Sequence, residues 1–298
     1  MSSSLPIRIG VRAHDFGCLP AVELAAKIAA NHLVCAQLAP GKAIAGLTLK
    51  PGVLNPGLAF EIGSAFREHG VQISVLGCYV NPIHPDPATR KSLLGLFKEH
   101  LRYARDFGNG LVALETGSVN ADYSPHPENH SEAAFQQSLA SIAELVAEAE
   151  HFGVSVGIEA VASHVVSTPQ KMRRMLDSIA SNNLQVVFDP VNLLSIDNYH
   201  EQERVIGESL DLFGDRIAVI HAKDFVVENG RLRSVTAGLG TLRHDLVMKF
   251  AVRQKPGISI LLEETNEQAA EESRRFLQQV ATDVSGEPLQ QALNENPR

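Results

Sequence analysis

Cysteines and long apolar runs are scarce in this sequence. The chain has three cysteines, Cys18, Cys35 and Cys78, and no CxxC spacing. An odd number without paired spacing indicates neither a disulfide framework nor a zinc knuckle and is typical of a reducing compartment. No run of 18 apolar residues occurs, and the first residues lack a basic region followed by an apolar stretch. Neither secretion nor a membrane span is indicated, so we expect a cytoplasmic protein.

Positive charge is also in deficit. Lys and Arg number 26 against 34 Asp and Glu, which gives a net charge of −8. Binding to nucleic acid depends on Lys and Arg that displace counterions from phosphates, so this balance disfavours a nucleic-acid partner. Apolar residues, in contrast, make up 44% of the 298 residues. That content is sufficient for a globular protein with a well-buried core.

Eight short apolar runs alternate with helix-compatible stretches. The runs lack a clean alternation of apolar and polar residues, as expected for parallel strands that are buried on both faces. Eight such units in about 250 to 300 residues match a (β/α)8 domain. We therefore predict an α/β protein with a single-domain TIM barrel over residues 1–282 and a polar C-terminal tail over 283–298. The predicted strands are 7–11, 33–38, 71–76, 111–115, 154–159, 184–189, 217–222 and 258–263.

Two helices carry clear end signals. Ser131 can cap a helix that runs to residue 152, where Gly153 follows the last turn. Thr168 and Pro169 are typical of an N-cap and a first-turn proline, so they predict a second helix between the strands that end near 159 and 189.

Three connections after predicted strands are longer or more structured than a minimal barrel requires. The segments 77–92 and 116–130 are polar and contain proline, and we expect them to shape a substrate pocket. Asn229-Gly230 lies between two β-prone segments and predicts a hairpin. This hairpin is a candidate wall of the same pocket.

Four predicted strands end on a side chain that can bind a metal, namely Glu159, Asp189, His221 and Glu263. Taken singly, each acid could be a cap and the histidine could belong to the core. Taken together, the four strand ends would each need an independent structural reason to carry a polar side chain, because burial of a polar group is costly. The carboxyl ends of barrel strands form the active-site rim, and carboxylate with imidazole suits Mn, Mg, Co or Zn. The pattern therefore predicts a site for one divalent ion.

The segments around these residues, GIEA, FDPVN, HAKD and LLEE, resemble the signature of the xylose isomerase-like TIM-barrel superfamily of sugar phosphate isomerases and epimerases. GVQISVLGCYVNP, ETGS and the GLG at 238–240 extend the resemblance over most of the chain. It implies that Glu159, Asp189, His221 and Glu263 bind one divalent metal. It also implies that Glu159 and Glu263 carry protons while a sugar or sugar derivative is isomerised or epimerised through a metal-stabilised enediolate.

The chain departs from the superfamily at two places. Its epimerases commonly have a histidine three residues after the strand-six aspartate, where this chain has Asn192. Asparagine can hydrogen-bond a sugar hydroxyl or carbonyl but cannot carry a proton near neutral pH. The resemblance therefore does not identify the exact substrate of this chain. Related proteins often have an aspartate where this one reads Thr241-Leu242-Arg243-His244. Pocket roles for Arg243 and His244 are minor alternatives.

Lys223 and Glu115 are further candidates for substrate binding, together with Asn192. Lys223 lies two residues after His221, so both side chains point to the same side of an extended strand. Lys223 could stabilise an oxyanion or could be the buried partner of Glu115 or another acid at the rim. Glu115 ends the fourth predicted strand on a charge.

Several other residues have weaker signals. His164 and His84 follow strands and could contact substrate hydroxyls, although a surface position is the simpler interpretation; His164 is retained as a candidate for substrate binding. Asp224 and Glu264 have the opposite strand parity to the predicted ligands, so we expect them to face the helix layer. Cys78 is expected to pack at the end of the third strand.

Alternative functions stay open at this point. Dehydration of an inosose-type ketone begins with the same proton abstraction, and a proton donor such as His164 opposite the metal would favour it. A non-catalytic carbohydrate-binding barrel would use the same metal site. The superfamily also includes apurinic-site endonucleases, but the acidic balance counts against them. A small carbohydrate is the expected partner, with no nucleic acid or membrane. The resemblance further implies that homo-oligomers are common, without a stated subunit number.

Overall fold

The computed structural model describes residues 7–285, which contain ten strands and nine α-helices. The strands are β1 (Ile7–Arg12), β2 (Cys35–Leu38), β3 (Gln72–Gly77), β4 (Leu111–Glu115), β5 (Ser155–Glu159), β6 (Leu184–Phe188), β7 (Ile217–Ala222), β8 (Asp224–Glu228), β9 (Arg231–Val235) and β10 (Ile258–Leu262). The helices are α1 (Ala21–Ala30), α2 (Pro40–Ala43), α3 (Pro56–Glu68), α4 (Pro87–Tyr103), α5 (Glu132–Phe152), α6 (Pro169–Ile179), α7 (Gln202–Phe213), α8 (His244–Gln254) and α9 (Glu267–Ser285).

Eight of the strands close into a parallel barrel. Their order around the barrel is β1-β10-β7-β6-β5-β4-β3-β2, and each of the eight predicted runs overlaps one of them. The predicted (β/α)8 barrel is therefore confirmed. The predicted tail overlaps the end of α9 at residues 283–285 and otherwise lies outside the described residues.

The barrel interior is filled by side chains. An apolar cluster inside the barrel is separate from the larger core that lies between the strands and the helices. Ser74 of β3 and Ser259 of β10 share a hydrogen bond of 2.8 Å. This packing leaves the carboxyl ends of the strands as the place where polar side chains converge. The interior cluster consists of Cys35, Val75, Leu111, Ala113, Val187, Val219 and Leu261.

The predicted helix ends are confirmed. The Ser131 hydroxyl accepts a hydrogen bond from the Ala134 backbone N–H, and Gly153 after α5 has φ +62°. The left-handed conformation of Gly153 costs little because glycine has no Cβ. The Thr168 hydroxyl caps α6 by accepting from the Lys171 N–H.

The predicted hairpin is also present, as β8 and β9. These strands pair antiparallel, and Asn229 and Gly230 between them have φ +52° and +71°. Two positive φ angles are characteristic of the type I′ turn that two-residue hairpins prefer. Within residues 7–285, no helix combines the length and apolar character that crossing a membrane requires.

Substitution of Gly10 tests the close approach of the first two strands. Gly10 pairs with Cys35, and a Cβ at position 10 would lie 2.0 Å from the Cys35 carbonyl oxygen. We expect Gly10→Ala to lower the free energy of unfolding by about 3 kcal/mol, because strands must separate to admit the methyl group. Denaturant unfolding measures this change. Gly95→Ala in α4, where a Cβ meets no atom within 4 Å, is the control and should stabilise by up to about 1 kcal/mol. Equal stability of Gly10→Ala and the wild type would contradict the assigned packing.

Candidate active site

Four buried side chains converge on one ring nitrogen at the carboxyl rim. The Nδ1 atom of His221 lies 3.3 Å from Glu263 Oε1, 3.5 Å from Glu159 Oε2 and 3.9 Å from Asp189 Oδ2. Each of the four residues is at most 4% exposed. Ligand atoms of Glu159, Asp189 and His221 lie within 4.8 Å of one another, so these three form a candidate metal-binding triad with Glu263 beside it.

Strand ends position all four side chains. Glu159 is the last residue of β5, His221 is the fifth residue of β7, and Asp189 and Glu263 directly follow β6 and β10. These strands are adjacent in the order β10-β7-β6-β5. Neighbouring strand ends are held by backbone hydrogen bonds, so the side chains meet without a contribution from mobile loops.

The tautomer of His221 suits a metal ligand. Its Nε2 lies 2.7 Å from the Gln37 side-chain oxygen, which can only accept a hydrogen bond. Nε2 therefore carries a hydrogen, and Nδ1 is free to bind a cation. Nδ1 is buried and has no hydrogen-bond partner in the described part of the chain. Two atoms that each lie about 2.1 Å from one ion are separated by about 3.0 to 3.4 Å, close to the shorter distances in this cluster.

Each carboxylate has one oxygen engaged by a donor of the protein. Asn192 Nδ2 donates to Glu159 Oε1 at 2.6 Å, and the Asn192 backbone N–H donates to Asp189 Oδ1 at 3.1 Å. Lys223 Nζ donates to Glu263 Oε2 at 3.0 Å. The other oxygen of each carboxylate faces His221, and that of Asp189 also lies 2.6 Å from Lys223 Nζ. Asn192 and Lys223 thus orient the carboxylates.

Positive and negative groups strongly perturb one another in this cluster. Burial by itself would lower the pKa of His221, but Glu263 and Glu159 outweigh it and raise that pKa to about 9 in the absence of a metal. Burial by itself would raise the pKa of Glu263, yet His221 and Lys223 hold it well below its usual range. Three converging carboxylates therefore favour a positive charge at the centre, either as a proton on His221 or as a metal ion.

A cavity of about 520 Å³ opens beside the cluster. The two long loops and the hairpin contribute to it through Tyr79, Tyr123 and Ser234, as predicted from the sequence. The lining residues are Arg12, His14, Gln37, Lys42, Tyr79, Glu115, Tyr123, Glu159, Val161, His164, Asn192, Lys223, Ser234, Glu263 and Glu264. All four residues predicted to bind substrate, Asn192, Lys223, Glu115 and His164, are among them.

Glu115 and His164 form a second polar group in the cavity. His164 Nδ1 lies 3.3 Å from Glu115 Oε2, and the Tyr123 ring packs edge-on against the His164 ring at 4.9 Å. Burial, reinforced by the charges of Glu159 and Glu263, raises the pKa of Glu115 to about 8. Burial lowers the pKa of His164 to about 4. Near neutral pH, Glu115 is thus a protonated carboxyl group beside a neutral His164.

Two expectations from the sequence are wrong. His164 is not a surface histidine but is 6% exposed, because it lines the cavity and packs against the Tyr123 ring. Glu264 does not face the helix layer. Its φ of +52° ends the strand alternation after β10, and its carboxylate turns to the cavity and pairs with Arg12 at 3.3 Å.

Other candidates have structural partners outside the cavity lining. Asp224 accepts hydrogen bonds from the backbone N–H groups of Phe225, Gly238 and Leu242, which fixes the GLG segment. His244 lies 3.3 Å from Asp224, and Arg243 pairs with Asp245 at 2.8 Å. The His84 ring accepts from the Asp86 N–H in its own loop. Cys78 is buried directly after β3, as expected.

Several residues of the site were not predicted from the sequence. Arg12 ends β1 on a charge, and Gln37 places an amide in the buried strand β2. Glu115 was identified by the same kind of signal, a polar side chain within or at the end of a buried strand. Tyr79 and Tyr123 lie in irregular loops, where no periodicity shows which side chains turn inward.

A sequence model of the xylose isomerase-like TIM barrel family matches residues 46–280. A comparison with curated protein sequences finds no match.

Several solved structures share the fold. A D-tagatose 3-epimerase-like protein superimposes with a TM-score of 0.74 at 18% identity and covers 94% of this chain and 98% of its own. A xylose isomerase-like TIM barrel protein from Mycobacterium smegmatis in complex with magnesium has a TM-score of 0.70 at 15% identity, with 95% and 99% covered. A D-psicose 3-epimerase in the presence of D-fructose has a TM-score of 0.69 at 12% identity, with 92% and 99% covered.

Binding of Mn²⁺ should depend on pH through His221. The pKa of His221 is raised to about 9 without metal. Protonation of His221 therefore stabilises the metal-free protein fully below the ordinary pKa of histidine, and this stabilisation is lost as pH rises through about 9. A metal must displace the proton. We expect the Mn²⁺ association constant to rise roughly tenfold per pH unit between about 6.5 and 9 and then to level off. Calorimetry in buffers of different ionisation enthalpy should show release of about one proton. A pH-independent affinity would contradict ligation by His221.

Removal of the Gln37 acceptor should weaken metal binding. Gln37→Leu leaves the Nε2–H of His221 unpaired and the ring free to rotate. We expect the affinity for Mn²⁺ to fall about 10- to 100-fold, as measured by calorimetry. Gln72→Leu, at the start of β3 and therefore at the opposite rim, is the matched control and should bind like the wild type. An unaltered affinity of Gln37→Leu would exclude the orienting role.

Proposed function

Because the chain belongs to the xylose isomerase-like TIM barrel family, we propose that it is a divalent-metal-dependent isomerase or epimerase of a sugar or sugar derivative. The reaction moves a proton on carbon next to a carbonyl group. The observation that carries this proposal is the convergence of Glu159 and Glu263 on His221 beside an open cavity.

Glu159, Asp189, His221 and Glu263 would hold the ion. Such an ion polarises a carbonyl and stabilises negative charge on its oxygen. Carboxylate and imidazole donors without thiolate are compatible with Mn, Mg, Co or Zn. Lys223, at the edge of the same cavity, adds a fixed positive charge where negative charge develops on a substrate oxygen.

Glu159 and Glu263 are the proposed proton carriers. They come from β5 and β10, the two ends of the four-strand arc that supplies the ligands, so they approach a substrate from different sides. Asn192 donates a hydrogen bond to Glu159 and Lys223 donates one to Glu263, whose pKa is held well below its usual range by His221 and Lys223. Ionised carboxylates are suited to accept a proton, and transfer to the other face or atom completes the reaction.

Asn192, Lys223, Glu115 and His164 are the proposed contacts to substrate. Carbohydrate hydroxyls both donate and accept hydrogen bonds, and this set offers an ammonium and an amide as donors with a carboxyl group as acceptor. A volume of about 520 Å³ is in the range of small-molecule sites. A small carbohydrate is therefore the proposed substrate.

Dehydration of a polyol ketone is a second candidate, and a specific observation favours it. Glu115 lies beside His164, and its raised pKa of about 8 keeps a proton on it near neutral pH. Elimination needs such a donor for the leaving hydroxyl. A non-catalytic carbohydrate-binding barrel would bind the same ligands without exchange of any carbon-bound hydrogen.

Solvent-deuterium exchange tests the proposal. The metal-loaded wild type, with Mn²⁺ or Mg²⁺, is incubated in D2O with a panel of ketoses, inososes and their phosphates and followed by NMR. We expect incorporation of deuterium next to the carbonyl of the substrate. Glu159→Gln and Glu263→Gln should reduce exchange by 10²-fold or more, since an amide cannot accept the proton.

Glu61→Gln, an exposed position on α3, is the matched control and should exchange like the wild type. Exchange at the wild-type rate in Glu159→Gln or Glu263→Gln would exclude the two-carboxylate mechanism. Tight binding of a ketose without any exchange in the wild type would favour the binding protein, and formation of an unsaturated product would favour dehydration.

A further inference from the structure

Lys223 is a buried ammonium within the ligand cluster. It is 5% exposed, and its Nζ lies 2.6 Å from Asp189 Oδ2 and 3.0 Å from Glu263 Oε2. Lysine is seldom buried unless it is paired. Here both partners are candidate metal ligands, so the ammonium and a metal ion would share the same two carboxylates.

The charges of the cluster fit this arrangement. Three carboxylates, Glu159, Asp189 and Glu263, contribute −3, and Lys223 contributes +1, so −3 + 1 = −2 with neutral His221. One divalent ion brings the sum to zero. Without Lys223 the same ion would leave an excess negative charge in a buried site, where uncompensated charge is costly.

We propose that Lys223 is a positioning residue that acts as a resident cation: it holds Asp189 and Glu263 together in the metal-free protein and sets the cluster charge to match one divalent ion. The inference rests on the metal site of the proposed function. It assigns Lys223 a role that is independent of any substrate, because both of its ion pairs are made within the protein.

Arg12 cannot replace Lys223 in this role. Its guanidinium lies 3.5 Å from Glu263 Oε2, but it also binds Asp15 at 2.8 Å and Glu264 at 3.3 Å. Among the described residues, Arg12 forms an ion pair with Glu263 but none with Asp189. Apart from the candidate ligand His221, whose Nδ1 lies 3.9 Å from Asp189 and 3.3 Å from Glu263, Lys223 is the cation among the described residues that bridges the carboxylates following β6 and β10.

Two consequences separate a resident cation from an ordinary packing residue. Removal of the charge should destabilise the metal-free protein, since the carboxylates then repel one another. The same removal should increase the affinity for a divalent ion, because the ion no longer encounters a neighbouring positive charge. A residue that merely packs would lower stability and metal affinity together.

The test uses full-length protein stripped of metal by chelation and titrated with Mn²⁺. We expect Lys223→Gln and Lys223→Met to bind Mn²⁺ at least about tenfold more tightly than the wild type in calorimetry. Their metal-free melting temperatures should fall, and saturating Mn²⁺ should raise them by more than it raises that of the wild type. Lys223→Arg retains the charge and should stay within a few-fold of the wild-type affinity.

Lys42→Met is the matched control. Lys42 lines the same cavity but lies over the Tyr79 ring at 5.9 Å, so its removal should change Mn²⁺ affinity by less than about twofold. Circular dichroism verifies that each variant is folded, and Lys223→Gln keeps a polar side chain in case Lys223→Met does not fold.

Equal or weaker Mn²⁺ binding by folded Lys223→Gln would overturn the proposal, as would an unchanged melting temperature of that metal-free variant. No substrate enters this experiment. Deuterium exchange by the wild type therefore still supports the proposed function if the role of Lys223 fails. Conversely, tighter Mn²⁺ binding by the Lys223→Gln variant, together with no deuterium exchange into any compound by the wild type, would support the role of Lys223 and contradict the proposed reaction.

Discussion

The mutual repulsion of three buried carboxylates around His221 is the constraint on which the site depends. Glu159, Asp189 and Glu263 direct one oxygen each toward the same ring nitrogen, an arrangement that is unfavourable without positive charge at its centre. The surrounding groups meet this requirement by engaging the remaining oxygens. Asn192 and Lys223 do so directly, and Gln37 fixes the imidazole from the other side. The polar chemistry of the cavity follows from this compensation.

The barrel makes such a concentration of charge tolerable. Backbone hydrogen bonds between neighbouring strands hold the four candidate ligand positions, and the apolar cluster packed inside the barrel occupies the space into which the carboxylates would otherwise relax. The close approach of β1 and β2 at Gly10 belongs to the same rigid scaffold. A rigid frame of this kind is what a site needs when its ligands would otherwise move apart.

The cavity has two chemically distinct sides. On one side lies the candidate ligand cluster, in which His221, Lys223 and Arg12 hold the pKa of Glu263 well below its usual range. On the other, Glu115 is driven toward its protonated form by burial and by the charges of Glu159 and Glu263, with His164 neutral beside it. The same accumulation of negative charge is thus offset at Glu263, where cations are close, and adds to the effect of burial at Glu115. This contrast supports chemistry that both removes and delivers protons.

Much of the architecture was determined by the sequence alone. Apolar runs, Ser131, Thr168 and Asn229-Gly230 act through local conformational preferences, and so they predicted strands, helix starts and the hairpin without knowledge of distant contacts. The convergence of Glu159, Asp189, His221 and Glu263 was also predictable, because parallel strands of a barrel must end at one rim. Only the tertiary structure decided the partners: that Lys223 bridges Asp189 and Glu263, that Asn192 holds Glu159, and that His164 and Glu264 turn into the cavity. Those contacts join residues far apart in the chain or depend on a single positive φ, and neither leaves a periodic signal in the sequence.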